Sequence, residues 1–110
     1  RAREIGARIE RWALALQAEQ PSIGDVRVSG AMAALEFVEQ GDPERPDAEL
    51  TRELVAAGAE AGLILLSCGV RGNVIRLLPP LIIGDALLEE ALDTLAQVIA
   101  SVAGRLRKAG

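Results

Sequence analysis

The chain has 110 residues, 50% of them hydrophobic and 25% charged, so one domain with its own buried core is expected. It contains no histidine and a single cysteine, which excludes Ser-His-Asp and Cys-His catalytic units and the usual zinc ligand sets within this chain. A net charge of −4 and an aromatic content of 2% argue against binding of nucleic acid.

The first predicted element is a helix over residues 3–19. Its apolar side chains recur at spacings of three and four, which places them on one helical face. These residues are Ile5, Ile9, Trp12 and Leu16. Pro21 is expected to end the helix. The chain begins with neither a methionine nor an apolar segment behind a basic start, so we expect a piece of a longer protein without an export signal.

Two strands are predicted next. Residues 25–29 alternate between polar and apolar, which is typical of a half-buried strand. Residues 31–38 are nearly all apolar, which favours a strand buried on both faces, although their Ala and Leu content also fits a helix. Gly30 between them predicts a hairpin or a bulged continuation. Residues 40–46 have the composition of a surface loop.

A second helix is predicted to begin after Asp47, whose carboxylate can accept hydrogen bonds from the first free N–H groups. Leu50, Leu54, Ala57 and Ala61 repeat at helical spacing. Gly62 follows where a left-handed residue would end the helix.

Two short strands and a long helix complete the chain. Residues 63–66 and 74–78 are predicted as strands, and residues 67–73 as the loop between them; Pro79-Pro80 stops the second strand. Asp85 is expected to cap the last helix. The apolar stripe of that helix consists of Leu88, Leu92, Leu95, Ile99, Val102 and Leu106, and its last turn carries Arg105, Arg107 and Lys108.

This order of elements contains no strand–helix–strand unit long enough to impose a parallel sheet. We therefore expect an α+β fold of two layers, with helices covering one face of a mostly antiparallel sheet. Residues 1–110 are expected to form a single domain. The most apolar run, residues 74–83, is too short for a membrane-spanning helix, which needs about 20 residues.

Arg76 is the candidate functional residue, because it is the only charged residue between Asn73 and Gly84. A guanidinium among aliphatic side chains needs a carboxylate or several strong acceptors, and its planar fork suits bidentate binding of a carboxylate. Two structural alternatives remain open. Arg76 could point to solvent from an edge strand, or it could pair with Glu36 inside the domain.

The other candidate residues carry weaker signals. Gly69 and Gly72 would permit close approach of the backbone, but such glycines are typical of turns. Cys68 is expected to be a packed thiol, since no base is available to activate it. As the only cysteine it cannot form an internal disulfide, which favours a cytoplasmic setting. We expect no catalytic, cofactor-binding or metal-binding residue in this chain.

Residues 65–81 contain a long and unusual motif. It includes Gly72-Asn73-Val74-Ile75-Arg76 and then Leu78-Pro79-Pro80-Leu81. This motif closely resembles the C-terminal segment of class III pyridoxal-phosphate-dependent aminotransferases, and among them the 4-aminobutyrate aminotransferases. The similarity extends to residues 23–27, 30–32, 36–38, 46–48 and 83–95. Val28 departs from the family pattern, which usually has Arg-Gly-x-Gly after the first strand.

The resemblance implies that residues 1–110 are the C-terminal small domain of a larger aminotransferase. In this family the lysine that carries pyridoxal phosphate, the carboxylate facing its pyridine nitrogen and the phosphate site belong to the large domain. The only lysine here is Lys108, so the chain alone is expected to be inactive. Its implied partners are its own large domain and a second subunit, with no nucleic acid and no membrane.

Arg76 matches the family arginine that binds the α-carboxylate of glutamate and 2-oxoglutarate. The implied reaction moves an amino group from 4-aminobutyrate, or a similar ω-amino acid, to 2-oxoglutarate, giving succinate semialdehyde and glutamate. One alternative is another class III enzyme with a diamino acid or β-amino acid as donor. A second, from a different class, is a free-standing regulatory module that binds a small molecule, since the fold alone does not fix the function.

Overall fold

The computed structural model describes residues 1–109, with side chains described for residues 1–107. The expected three helices are present, but the sheet contains five strands instead of four. In chain order the elements are α1 (Ala2–Glu19), β1 (Ile23–Ser29), β2 (Met32–Glu39), β3 (Asp42–Pro46), α2 (Ala48–Glu60), β4 (Leu66–Cys68), β5 (Val74–Leu77) and α3 (Asp85–Ala109). No helix among the described residues is long and apolar enough to cross a bilayer.

The strands form one antiparallel sheet in the order β1-β2-β5-β4, with β3 paired to the end of β2. Side chains alternate between the two faces of a strand. One face, here called the covered face, packs against all three helices and includes Leu35, Phe37 and Ile75, each 0% exposed. The predicted two-layer α+β fold is therefore confirmed.

The core lies between the covered face and the helices. α1 contributes Ala13 and Leu16, α2 contributes Leu50 and Leu54, and α3 contributes a stripe of apolar residues. That stripe consists of Leu88, Leu92, Leu95, Ile99 and Val102. The predicted helical periodicity thus identifies the buried side of each helix, although Trp12, Ala57 and Leu106 are only half-buried, and Ala61, which follows the last residue of α2, is exposed. The prediction for Lys108 lies outside the described side chains.

A glycine sets the distance between α1 and the sheet. Gly6 lies against the turn between β1 and β2, where a Cβ atom would overlap the carbonyl oxygen of Gly30. Gly30 itself has a φ of +57°, which suits the hairpin predicted at this position. A larger residue at position 6 would separate the helix from the hairpin.

The prediction that residues 40–46 form a loop was wrong, because Asp42–Pro46 is strand β3. Gln40 and Gly41 both have positive φ, 52° and 76°, and this tight turn folds the chain back onto the end of β2. The two prolines of β3 are tolerated because the strand lies at an edge. Its exposed, charged composition hid it from a search for apolar periodicity.

The third predicted strand is displaced towards the C-terminus. α2 ends at Glu60, and Gly62 adopts the expected left-handed conformation just beyond it (φ +88°). The backbone N–H of Leu63 donates to the carbonyl of Gly58 at 2.7 Å. The side chain of Leu65 then packs onto Gly58. Residues 63–65 are therefore held against α2, and strand β4 begins only at Leu66, where the sequence suggested the end of a strand.

The two predicted helix caps had different outcomes. Asp47 caps α2 as predicted, with its Oδ1 accepting from the backbone N–H of Leu50 at 3.0 Å. Asp85 is the first residue of α3 rather than its cap. Its carboxylate is engaged by Arg1 at 2.8 Å and Arg8 at 3.0 Å, so ion pairs to α1 replace the predicted capping role.

Candidate functional site

The candidate site is the face of the sheet opposite the helices, here called the open face. β5 lies between β2 and β4, and Arg76 is the residue on β5 that pairs with Ala34 on one side and Leu66 on the other. Its neighbour Ile75 points into the core. Because side chains alternate along a strand, Arg76 points out of the open face, where it is exposed.

The environment of Arg76 leaves its guanidinium available. Its partner on β2 is Ala34, whose side chain is a single methyl group, and its partner on β4 is the exposed Leu66. Within the described part of the chain, Arg76 forms no ion pair. An arginine on a strand that is paired on both sides, beside a small and an apolar residue, can bind a carboxylate in bidentate fashion without first breaking an internal pair.

Neither structural alternative for Arg76 holds as stated. Arg76 is exposed, but β5 is an interior strand with a partner on both sides, not an edge strand. Glu36 lies on the same face and is displaced along β2, opposite Val74. No Glu36–Arg76 ion pair forms among the residues described.

The charges on β1 are already paired. On the open face Asp25 lies opposite Glu36, and Arg27 lies opposite Ala34. The Nε of Arg27 is 3.5 Å from the carboxylate of Asp25. Arg76 is thus the open-face cation whose charge has no partner among the described residues, which distinguishes it from Arg27.

The loop before β5 closes one end of the open face. Gly69 and Gly72 have φ of +89° and +66°, and the N–H of Gly72 donates to the carbonyl of Gly69 at 3.1 Å. This turn covers Val74, since a Cβ at Gly69 would lie 3.0 Å from Val74 Cγ2. The glycines are therefore required by the turn itself, as the simpler interpretation predicts. Cys68 at the start of the turn is free and half-buried.

Asn73 is a buried polar residue whose role the sequence did not reveal. It is 2% exposed, and its Nδ2 donates to the carbonyl oxygen of Phe37 at 2.9 Å. The backbone N–H of Phe37 donates to the carbonyl of Asn73 at 2.8 Å. The only sequence signal for these hydrogen bonds is an amide side chain directly before an apolar strand, and an ordinary loop residue gives the same signal.

A large apolar surface surrounds the ends of β4 and β5. Its members belong to different segments but are all more than half exposed: Ile64, Leu66, Leu78, Leu81, Ile82 and Leu87. An apolar pocket of about 250 Å³ lies beside it, between α1, α3 and the segment after β5, with Pro79 and Pro80 in its wall. Exposed apolar side chains in this number are typical of an interaction site.

A separate cluster of charges does not include Arg76. Arg1 and Arg8 of the α1 region hold the carboxylate of Asp85, and Arg8 also reaches Glu89 at 2.8 Å. The hydrogen bond from Arg1, with a further contribution from Arg8, lowers the pKa of Asp85 from its usual 3.8. This cluster joins the beginnings of α1 and α3. Residues 1–109 contain no group of acidic or cysteine side chains arranged to hold a metal ion.

Comparison with known proteins gives a consistent result. The sequence profile described as aminotransferase class-III matches residues 1–99. The 4-aminobutyrate aminotransferase of Mycobacterium tuberculosis H37Rv is 50% identical over 102 residues, which are 93% of this chain and 22% of that protein. The 5-aminovalerate aminotransferase of Pseudomonas aeruginosa is 46% identical over 97 residues, 88% of this chain and 23% of that protein.

The structural comparison agrees. A PMP-bound aminotransferase from Vibrio fluvialis superimposes with a TM-score of 0.79 and 28% identity, covering 94% of this chain and 23% of that one. The chain therefore spans less than a quarter of the length of these relatives. The match over residues 1–99 establishes that the chain belongs to the class-III aminotransferase family.

Proposed function

We propose that these 110 residues are the C-terminal small domain of a pyridoxal-phosphate-dependent aminotransferase. The enzyme transfers an amino group from 4-aminobutyrate, or a similar ω-amino acid, to 2-oxoglutarate, and produces succinate semialdehyde and glutamate. The 4-aminobutyrate aminotransferase at 50% identity supports this donor. The 5-aminovalerate aminotransferase at 46% identity is the reason why the proposal also includes a donor that is longer by one methylene group.

The observation that carries the proposal is the position of Arg76. It projects from an interior strand of the open face and has no ion-pair partner in the part of the chain that the structure describes. We assign it the α-carboxylate of 2-oxoglutarate and glutamate. Once a further domain covers this face and excludes water, the attraction between the guanidinium and that carboxylate becomes stronger.

The described residues do not themselves fit pyridoxal phosphate. Residues 1–107 contain no lysine, and the one lysine of the sequence, Lys108, lies near the C-terminal end of α3. When bound, pyridoxal phosphate supplies the electron sink for amino transfer. The proposal places the cofactor in the larger domain and gives these residues the task of binding substrate. A relative from Vibrio fluvialis is known in a PMP-bound form, which supports the choice of cofactor.

The large domain of the same protein is the proposed partner of the exposed apolar surface. Ile82 is 95% exposed and Ile64 is 92% exposed, and leaving such apolar side chains in water is unfavourable in free energy. Leu66 of the same surface is 59% exposed and pairs with Arg76, so the same docking event would cover the surface around Arg76. A second subunit and a cytoplasmic location belong to the same proposal; the single cysteine supports the latter.

The test measures the two half-reactions of the full-length enzyme separately under single-turnover conditions. Arg76→Ala should slow the 2-oxoglutarate half-reaction by at least about 30-fold, since truncating one partner of a buried charge pair costs about 2–5 kcal/mol. The ω-amine half-reaction should change much less, because the reacting carbon of that donor carries no carboxylate. Arg105→Ala, which removes an exposed arginine on α3, is the matched control and should leave both rates unchanged. Equal losses in the two half-reactions of Arg76→Ala would contradict the assignment.

A further inference from the structure

β5 has few features that fix its register. It contains four residues, Val74–Leu77. The turn before it contains Gly69 and Gly72, both with positive φ, and two prolines follow soon after it. Burial of Ile75 on the covered face already favours the observed register. A strand this short, between a glycine turn and a proline segment, pairs over few residues, so a second determinant of its position adds to that preference.

Asn73 has the geometry of such a determinant. In the ladder between β2 and β5, Glu36 pairs with Val74, so the next position brings Phe37 opposite Asn73. Phe37 donates its N–H to the carbonyl of Asn73 at 2.8 Å, and the bond to the carbonyl of Phe37 comes from the side-chain Nδ2 of Asn73 at 2.9 Å. The side chain thereby extends the ladder by one pair beyond the strand.

The carbonyl of Phe37 joins three segments. Besides Asn73 Nδ2, it accepts the backbone N–H of Asp47 at 3.0 Å, and Asp47 is the residue that caps α2. Phe37 is 0% exposed, and Asn73 is 2% exposed, so this junction is shielded from water. In any neighbouring register the buried side-chain amide of Asn73 and the buried carbonyl of Phe37 would no longer be hydrogen-bonded to each other. Because unsatisfied buried polar groups are costly, the register that pairs Asn73 with Phe37 is favoured.

Register decides which face Arg76 occupies. A shift of one residue reverses the direction of every side chain in a strand. In β5 such a shift would turn Arg76 towards the core and bring Ile75 to the open face. We propose that Asn73 is a positioning residue: its side-chain bond to Phe37 sets the register of β5 and so holds Arg76 on the open face. This inference rests on the carboxylate-binding function proposed for Arg76.

The experiment compares Asn73→Ala with Thr51→Val in the full-length enzyme. Thr51 is the matched control because it is also buried (0% exposed) and its hydroxyl donates one bond to a backbone carbonyl, that of Asp47, at 2.9 Å. The readouts are the KM for 2-oxoglutarate, the kcat, and the dissociation constant of glutarate by calorimetry. Glutarate has two carboxylates but no oxo group, so its binding does not depend on turnover.

Asn73→Ala should weaken glutarate binding and raise the KM for 2-oxoglutarate by about 10- to 100-fold, because a displacement of about 1 Å in a binding group can cost that much. Thr51→Val should lose comparable thermal stability and keep the wild-type glutarate affinity. Asn73→Ser, which keeps a shorter donor, should fall between wild type and Asn73→Ala. If Asn73→Ala does not fold, Asn73→Ser alone decides the question.

The outcomes separate the two proposals. If Arg76→Ala weakens glutarate binding and the folded Asn73 variants bind it as tightly as Thr51→Val does, the positioning role is wrong while the role of Arg76 stands. If Arg76→Ala leaves glutarate binding unchanged, the proposed function of Arg76 fails first, and the positioning inference fails with it.

Discussion

The two faces of the sheet use the same strands for different purposes. On the covered face, Leu35 and Ile75 are paired across β2 and β5, and both are completely buried under the helices. One position further along, Ala34 and Arg76 are paired on the open face, where the arginine is exposed. Alternate residues of one strand therefore serve stability and, in the function proposed for Arg76, ligand binding. The comparison teaches that a four-residue segment can hold a charged group in place without burying it, because its other side is anchored in the core.

The largest effect should come from changing the covered face. Ile75→Ala should lower the free energy of unfolding by about 2–5 kcal/mol, since it removes a fully buried side chain and leaves a cavity. Arg76→Ala, the adjacent change on the open face, should alter it by no more than about 0.5 kcal/mol. Denaturant titration of both variants measures the difference. Similar losses in the two would mean that the faces are not energetically distinct.

A smaller effect, on the binding of a hydrophobic dye, is expected from changes in the exposed apolar surface. Leu78→Ser and Ile82→Ser together should reduce the binding of a hydrophobic dye to the isolated 110 residues, because both side chains are exposed. Their free energy of unfolding should stay within about 0.5 kcal/mol of the unmodified chain for each change. Strong destabilisation would instead place these side chains in the core of the domain. Ala100→Ser, on the exposed side of α3, is a control that should leave dye binding unchanged.

The smallest effect is a pH-dependent change in stability at Asp85, between the helices that pack on the covered face. The pKa of Asp85 is lowered by the hydrogen bond from Arg1 and by the charge of Arg8, so its ionised form stabilises the folded state. That contribution is complete above the ordinary pKa of 3.8 and disappears as the pH falls through the lowered value. Asp85→Asn should therefore be slightly less stable than the unmodified chain at pH 7, and the difference should vanish in acid.

Thermal unfolding between pH 2 and pH 7 measures this difference. Asp93→Asn is the control, since Asp93 is an exposed carboxylate on the same helix and forms no ion pair with the residues described. A difference between Asp85→Asn and the unmodified chain that stays constant from pH 7 to pH 2 would show that the carboxylate acts through packing rather than through its charge.

Apolar periodicity was sufficient to predict the helices, but β2, which was expected to be buried on both faces, is buried mainly on the covered face. The spacing of Leu50 and Leu54, the cap at Asp47 and the glycine at position 62 are local signals, and each was confirmed. β3 was missed because an edge strand needs neither apolar residues nor freedom from proline. β4 was misplaced because Leu65 packs onto α2, a tertiary contact that its own neighbours in the sequence do not specify.

The candidate site was predictable in its chemistry but not in its geometry. Arg76 stands out as a charge within an apolar segment, and the motif around it indicates the family. Its position on an interior strand depends on pairing with β2 and β4, which no local pattern encodes. Asn73 was missed for the same reason, since its partner Phe37 lies in a distant part of the sequence.

The order of strands in the sheet also has a consequence for how the domain assembles. β1 and β2 are joined by a tight turn at Gly30, with α1 packed against that turn, so these elements can meet early. β5 follows β3, α2 and β4 in the chain, so its pairing with β2 closes a long loop. The conformational entropy of that loop is lost before the pairing adds any stabilising contacts. We therefore expect β5 to complete the sheet late in folding. Since late-forming segments are often those that open first, local unfolding could release Arg76 while α1 and the hairpin remain intact.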